Sequence, residues 1–491
     1  MTNESPPEHA QRDTSEPTGS RSGGDRLGGL LLLAALGVGL VRFVRLGEWS
    51  LWIDEAFTLA DVASAGTFSN PLGYWITGWV LESLGGRTDE AALRLTAAVF
   101  GFLCVPLVAW AFRPALGLRG SSLAALILAA SSWHLYWSQS ARFYTLAMAI
   151  ALLGSGIVMR SFKRGGAPLY AAGIAITGLS GAAHPTGVFV LPGLLAVPVL
   201  AARLGAPVAS SIRRTAFVIG LVGMLASLGW LVDVAGEWGS IKSGGDTAHF
   251  VLTTGFYLTP LLGIAALLGA ISAVAERRQP AMALLLLVPV LTFGFGLVVS
   301  TQLRMTAQYV FMLLPWACGL AAVPVAQFAS TGSAGRKLAL RFRGPWEVGA
   351  WSAVLVLPAL ATCLLYLGPR HGERPRWRDA YATVFREAGP DDLIVGMAAP
   401  VGEYYLGAGR TDVRRLQDVV YLDPFRYEVL LSWDRYPRRT WFVVNHEEFE
   451  DWPDRERANV ERILREQCHL VEQFPLIVES RDLSVAVYLR P

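Results

Sequence analysis

The chain has 491 residues, 53% hydrophobic and only 16% charged, and 42 Lys and Arg against 39 Asp and Glu leave a formal charge of +3. Soluble domains carry about 25% charged residues, so the composition excludes a water-soluble globule, and so small a charge gives no ground for a nucleic-acid partner. Cys104, Cys318, Cys363 and Cys468 follow no metal-ligand spacing and three of them lie in apolar runs, which argues against a zinc site or a disulfide framework.

Residues 1–26, rich in Ser, Pro, Glu, Thr and Gly, bury too little to offset chain entropy and are expected to be a disordered cytoplasmic tail. The apolar run from Leu27 to Val41, extended by Phe43 and Val44, lacks a small-residue cleavage site and reads as a retained first span, with Arg42 and Arg45 snorkelling from its far end. Further runs of span length follow at 91–112, 119–136, 142–160, 167–183, 186–203, 214–232, 256–275, 281–300, 309–329 and 348–367. The expected fold is therefore a polytopic α-helical membrane domain over 27–368 with about eleven spans.

Alternate loops carry the basic residues. With the amino terminus inside, the inner loops hold Arg113 and Arg119; Arg160, Lys163 and Arg164; Arg203, Arg213 and Arg214; Arg277 and Arg278; and Arg336, Lys337, Arg341 and Arg343. This is the positive-inside pattern, and it puts the first outer loop, 45–90, and the segment 369–491 outside the cytoplasm of a cell inner (plasma) membrane. That loop is too long for a mere connector, and its piece from Leu72 to Leu81 reads as a helix lying in the interface. The last segment reads as a soluble extracytoplasmic α/β domain, with strands at 392–397 and 440–444, an amphipathic helix over 459–472, and a terminal pair of Leu476–Val478 with Ser484–Tyr488.

The outer side gathers the chemistry. Asp54 and Glu55 follow the first span within Trp49-Ser-Leu-Trp-Ile-Asp-Glu-Ala-Phe57, and carboxylates beside a span are functional candidates by default. On the same side stand Arg142 and Tyr144 in Trp137-Ser-Gln-Ser-Ala-Arg-Phe-Tyr144, His184 in His184-Pro-Thr-Gly187, and Arg304, Gln308 and Tyr309 in Gln302-Leu-Arg-Met-Thr-Ala-Gln-Tyr309. Taken singly, each has a plain alternative as a snorkelling arginine, a helix breaker or a member of an aromatic belt. Together they supply a base for a hydroxyl proton and cations for a phosphate.

The order of apolar span, Trp-x-Asp-Glu-Ala-Phe-Thr, interfacial helix, Leu93-Arg-Leu-Thr-Ala-Ala-Val-Phe-Gly, Ser138-Gln-Ser-Ala-Arg-Phe-Tyr, His184-Pro-Thr-Gly and Tyr309-x4-Leu-Pro315 resembles the GT-C superfamily of lipid-sugar-dependent glycosyltransferases. The branch it looks most like is that of protein O-mannosyltransferases, aminoarabinose transferases and bacterial lipopolysaccharide sugar transferases. It departs from them at Ser69-Asn-Pro-Leu-Gly, at Ser140-Ala-Arg and at Gln308-Tyr309, where relatives carry His-Pro-Pro-Leu-Tyr, Glu-Ala-Arg and Arg-Tyr. The resemblance implies transfer of a sugar from a polyprenyl-phosphate donor to a hydroxyl of a lipid, glycan or protein acceptor on the outer face, with inversion. Asp54 would be the general base and Glu55 its partner; Arg142 and Arg304 would clamp the phosphate, with Tyr144, His184, Gln308 and Tyr309 lining the site. No cofactor is required, although Asp54 and Glu55 leave room for a divalent metal. The competing classes are a non-catalytic polyprenyl-lipid transporter or flippase, which usually places its polar site near the bilayer midplane, and a degenerate glycosyltransferase scaffold.

Overall fold

The computed structural model describes residues 21–63, 70–164, 166–203, 205–241, 244–274, 277–328, 345–408, 419–424 and 439–491. In hydrocarbon a backbone must satisfy its own N–H and C=O groups, so apolar runs of span length fold as helices. In chain order these are α1 (Arg21–Gly39), α2 (Ile53–Ala63), α3 (Pro71–Ser83), α4 (Glu90–Ala130), α5 (Ser132–Ser138), α6 (Tyr144–Arg164) and α7 (Gly166–Ala183). There follow α8 (Leu191–Arg203), α9 (Ser210–Ile241), α10 (Thr247–Leu258), α11 (Pro260–Val274), α12 (Pro280–Ser300), α13 (Leu314–Ala321), α14 (Val323–Phe328) and α15 (Pro345–Leu367). Tight 3-10 turns over Pro185–Val190 and Ala307–Leu313 lead into α8 and α13.

Each of the eleven expected runs falls on helix, but length and apolarity alone qualify seven spans, or eight if α10 and α11, bent by 93°, are taken as one. Part of the difference lies in α4. At Gly117 its backbone turns to φ 63°, ψ −173°, a conformation an L side chain resists, and the chain reverses there. The expected spans 91–112 and 119–136 are thus the two arms of a hairpin. Helix α1 runs against the first arm, with Gly39 on Phe102 and Gly28 on Leu118, so the Gly117 hairpin and the start of α1 share one end of the bundle. Residues 21–26 of the stretch expected to be a disordered tail belong to helix α1, and residues 1–20 lie outside the described ones.

Arg42 does not snorkel. It is fully buried and donates to the carbonyls of Leu128 and Ala129 at the end of α4, with one nitrogen 2.6 Å from His134 Nδ1. Helix ends leave carbonyls without partners, and a guanidinium is a five-donor solution to that shortage. Arg45 is the exposed one, pairing with Glu48 and the Leu367 carbonyl. The stretch expected to lie in the interface forms helix α3, whose Trp75 and Trp79, one turn apart, are 69% and 61% exposed while Tyr74, Thr77 and Leu81 face inward.

Beyond α15 the composition turns polar and a mixed sheet forms. Strands β1 (Leu393–Gly396), β2 (Val420–Tyr421), β3 (Thr440–Asn445), β4 (His469–Phe474), β5 (Ile477–Val478), β6 (Arg481–Asp482) and β7 (Val485–Arg490) are arranged with β2-β1-β3-β7-β4 in one sheet and β5-β6 as a separate pair. β1 is parallel to β2 and β3, and β7 is antiparallel to β3 and β4. Helix α16 (Trp377–Glu387) packs Trp377, Ala380, Tyr381 and Val384 against it. Two expectations change here. The amphipathic helix spans Asp454–Gln467 and stops before β4, which contains Glu472; and Ile477–Val478 pairs with Arg481–Asp482, because the final strand is taken up between β3 and β4.

Candidate functional site

Helix α2 starts at Ile53, which puts Asp54 and Glu55 in its first turn, where negative charge complements the free N–H groups. The two side chains then part. Glu55 turns inward and is wholly buried; Arg94 meets it with two parallel bonds, Nε to Oε1 at 2.8 Å and Nη2 to Oε2 at 2.7 Å. The Ala141 N–H donates to Oε1 at 2.7 Å, the Trp52 N–H donates to Oε2 at 3.2 Å, and Arg374 Nε lies 3.7 Å from Oε2. Burial works against a charged carboxyl, but the Arg374 and Arg94 guanidiniums, with the bonds from Arg94 and the Ala141 N–H, outweigh it and hold Glu55 below the usual carboxylate range. Glu55 is therefore not open to an acceptor, and both its oxygens are already taken, so a divalent ion would have Asp54 alone of the pair. Among the described residues no three His, Cys, Asp or Glu stand together as a metal site.

Arg94 sits just inside α4, whose start Asp89 caps by accepting from the Ala92 N–H at 3.1 Å. Its remaining donors reach the carbonyls of Leu46, Trp49 and Ser50, so this single guanidinium folds the first part of the 45–90 loop around itself. Trp49 is buried, edge-on to Tyr366 and His371.

Asp54 points the other way, with its side chain 40% exposed. Beside it Arg142, 17% exposed, places Nε 3.9 Å from Asp54 Oδ2, and its Nη1 donates to the Asp54 carbonyl at 3.4 Å and to Thr58 Oγ1 at 3.1 Å. Thr58 lies one turn after Asp54 on α2, so Arg142 lies along that face of the helix. The loop that carries Arg142 is held by Gln139, whose amide donates to the Arg42 and Val44 carbonyls and accepts from Trp49 Nε1, and by Arg374, which donates to the Gln139 carbonyl and to Ser140 Oγ at 2.7 Å. Ser140, one of the departures from the resembled pattern, thus has a defined partner.

Tyr144 opens α6 and packs between Trp137, at 4.1 Å between ring centres, and His184, at 4.0 Å. His184 Nδ1 lies 2.8 Å from Thr186 Oγ1 and 3.3 Å from the Thr186 N–H, and burial together with the charge of Arg142 pushes the imidazole down to about 3. It is a neutral wall of the site and supplies no cation for a phosphate. Arg304 is exposed and Gln308 half-buried, whereas the hydrogen bonds and ion pair of Arg142 described above run to Asp54 and Thr58. Tyr309 lies in a separate apolar cluster with Phe250, Met305, Val310 and Leu313; the residue of that turn which reaches Tyr144 is Phe311, at 6.2 Å.

The structure thus brings together Asp54, Arg142, Tyr144 and His184, and adds Thr58, Trp137 and Phe311 to them. Arg94 and Arg374 were overlooked as partners, although an arginine entering an apolar helix, as Arg94 does, signals a buried counter-ion. Three further acids of the loop are engaged elsewhere: Asp61 accepts from Tyr74 OH at 2.7 Å, Asp89 caps α4, and Glu90 accepts from Tyr405 OH at 3.0 Å and Arg378 Nη2 at 2.5 Å.

No protein-family model matches the chain, and no curated protein sequence matches it. Solved structures do. ArnT from Cupriavidus metallidurans bound to undecaprenyl phosphate superposes with a TM-score of 0.57 at 15% identity, over 96% of this chain and 98% of that one. The Archaeoglobus fulgidus oligosaccharyltransferase tethered to an acceptor peptide gives 0.55 at 11% identity, over 86% and 69%. AglB from the same organism, in complex with an inhibitory peptide and a dolichol-phosphate, gives 0.52 at 12%, over 86% and 70%. The chain shares the fold of these proteins over most of its length, and its long apolar helices make it a multi-pass membrane protein with a strand-containing carboxy-terminal domain.

Proposed function

We propose that the protein is a glycosyltransferase that takes one sugar from a polyprenyl-phosphate donor and joins it, with inversion, to a hydroxyl of a lipid, glycan or protein acceptor. The observation that carries the reading is the half-open Asp54 carboxylate beside Arg142, at one end of a helical bundle whose fold is shared with proteins solved with undecaprenyl phosphate and dolichol-phosphate. In this scheme Asp54 removes the acceptor proton as the acceptor oxygen attacks the anomeric carbon, and the sugar–phosphate C–O bond breaks towards the lipid phosphate. Arg142 offers a planar fork to the oxygens on which charge accumulates. Tyr144, Trp137 and neutral His184 form an aromatic wall against which a sugar ring fits. Arg304, Gln308 and Tyr309 would join only from the periphery. The donor lipid would lie among the spans, in the plane of a plasma membrane, with the site and residues 369–491 on the outer face, as the alternating basic loops suggest. No step is assigned to a metal.

The test is direct. Purified protein in lipid bilayers is offered a panel of undecaprenyl-phosphate monosaccharides with a membrane extract as acceptor source, and a deletion strain is profiled for an accumulated carrier-linked sugar and a glycan short of one residue. Release of undecaprenyl phosphate by the parental protein and not by Asp54→Asn is the expected result. Turnover of none of the donors and an unchanged lipid and glycan profile would refute the reading.

A further inference from the structure

Glu55 and Arg374 have no role in the scheme above, yet they occupy the junction of every part that the scheme needs. Glu55 is the residue after Asp54, and its Oε1 accepts from the N–H of Ala141, the residue before Arg142. The two functional side chains are therefore each one residue from the same hydrogen bond, and its 2.7 Å length fixes the separation of the chain segments that carry them. Arg374 holds the second segment from the other side, through the Gln139 carbonyl at 3.0 Å and Ser140 Oγ at 2.7 Å, with its guanidinium 4.7 Å above the Tyr136 ring. Its Nε is 3.7 Å from Glu55 Oε2. Glu55, Arg94 and Arg374 are all wholly buried, so water competes for none of these contacts.

Arg374 also begins the carboxy-terminal domain, and the residues after it continue the same grip. Arg378 donates to the carbonyls of Gly47 and Glu48 and to Glu90, and its N–H donates to Ser50 Oγ. Tyr405 OH accepts from the Leu51 N–H at 2.8 Å, and Tyr404 OH donates to the Thr88 carbonyl at 3.2 Å. The domain thus holds both ends of the stretch 47–51 that leads into α2.

We infer that Glu55 is a positioning residue that sets the Asp54–Arg142 separation, and that through Arg374 the carboxy-terminal domain is a working part of the site. This rests on the assignment of Asp54 and Arg142 given above. A side chain that only orients others acts on the transition state and not on the resting affinity for the lipid, since placement of the reacting groups is worth about 100-fold per ångström of error.

The test uses the full chain in lipid bilayers, with undecaprenyl phosphate as the binding probe and the sugar donor that the parental protein turns over as substrate. Glu55→Gln and Arg374→Gln are each expected to lower kcat roughly 30- to 100-fold while the Kd for undecaprenyl phosphate stays within about threefold. The double variant should fall well short of the product of the two losses, because both act through one arrangement, and Arg374→Lys should recover part of the rate. Should Glu55→Gln fail to assemble, Arg374→Gln and Ser140→Ala carry the test, since neither removes the Glu55–Arg94 pair. An unchanged kcat in Arg374→Gln, or a loss of rate that only tracks a loss of lipid-binding protein, overturns the inference. If Asp54→Asn abolishes turnover in the same assay, only the inference falls; if Asp54→Asn turns over at the parental rate, the reading beneath it falls as well.

Discussion

Replacing Arg94 with Met would leave the Glu55 carboxylate buried against one distant cation, Arg374 at 3.7 Å, and would strip donors from the Leu46, Trp49 and Ser50 carbonyls. Breaking a buried pair by removing one partner costs about 3–5 kcal/mol, and each abandoned carbonyl adds roughly 1 kcal/mol where water does not replace the donor. With partial relaxation the expected loss is about 5 kcal/mol, and on the order of 10 °C in Tm for a chain of this size. Heating the purified protein in detergent while following tryptophan fluorescence measures it. Arg94→Met with Glu55→Gln should be less damaged than the two single losses summed, by on the order of 2 kcal/mol. The pair also sets a pH window: Glu55 is held below its ordinary value in the fold, so its contribution is fully present above the unfolded carboxylate range near 4.5 and is lost as pH falls through the lower folded value. A Tm loss of under about 2 °C for Arg94→Met, or strict additivity in the double variant, would show that the pair does not hold the loop.

Asp54→Asn keeps the shape and one acceptor oxygen but cannot take a proton, so kcat should fall about 10²- to 10⁴-fold with undecaprenyl phosphate binding retained; binding lost in step with rate would assign Asp54 to the lipid instead. Arg142→Lys should impair turnover although the charge remains, because an ammonium lacks the planar fork, whereas Arg304→Ala, altering an exposed side chain away from Asp54, should cost less than Arg142→Ala; the reverse order would move the clamp to Arg304. A Cβ at Gly73 would stand 2.3 Å from the Phe143 ring, next to Arg142, so Gly73→Ala should destabilise by about 1–3 kcal/mol and lower turnover, and an unperturbed variant would show that the ring gives way freely. A cysteine in place of Arg386, 65% exposed in the carboxy-terminal domain, should react with an impermeant maleimide on intact cells in a Cys468→Ser background. Labelling only after lysis would reverse the proposed orientation.

What the sequence discloses here follows the range of the forces involved. Spans are read from runs of some twenty apolar residues, a local property, and the eleven runs fall on helix although only seven or eight helices qualify as spans; the Gly117 turn lies in the gap between two runs. The one-sided gathering of Asp54, Arg142 and His184 was visible through the alternation of basic loops, which is again a count along the chain. The partners of buried charges were not visible. Arg94 and Glu55 are 39 positions apart and Arg374 is far beyond both, and no periodicity links them; an adjacent acid pair suggested one shared task, while helix geometry sends consecutive side chains in different directions. The same limit explains Arg42, whose place beside the lipid interface suggested snorkelling but which ends a different helix. In the carboxy-terminal domain the strands were legible from their β-branched content, and the pairing of the last three was not, because register depends on which neighbours are free.

The attachment of the carboxy-terminal domain constrains how anything would enter and leave the proposed site. A lid that swings on a linker needs an interface it can abandon, and this one has none to spare near α2: Arg374, Arg378, Tyr404 and Tyr405 all terminate in backbone or carboxylate groups of the membrane domain. Opening there would uncover several buried polar groups at once. The contacts tie the domain to the loop it holds, so in the proposed reaction acceptor and product would pass on the side where the Asp54 side chain is 40% exposed, and the exposed Trp75 and Trp79 of α3 would set how deep in a bilayer that opening lies.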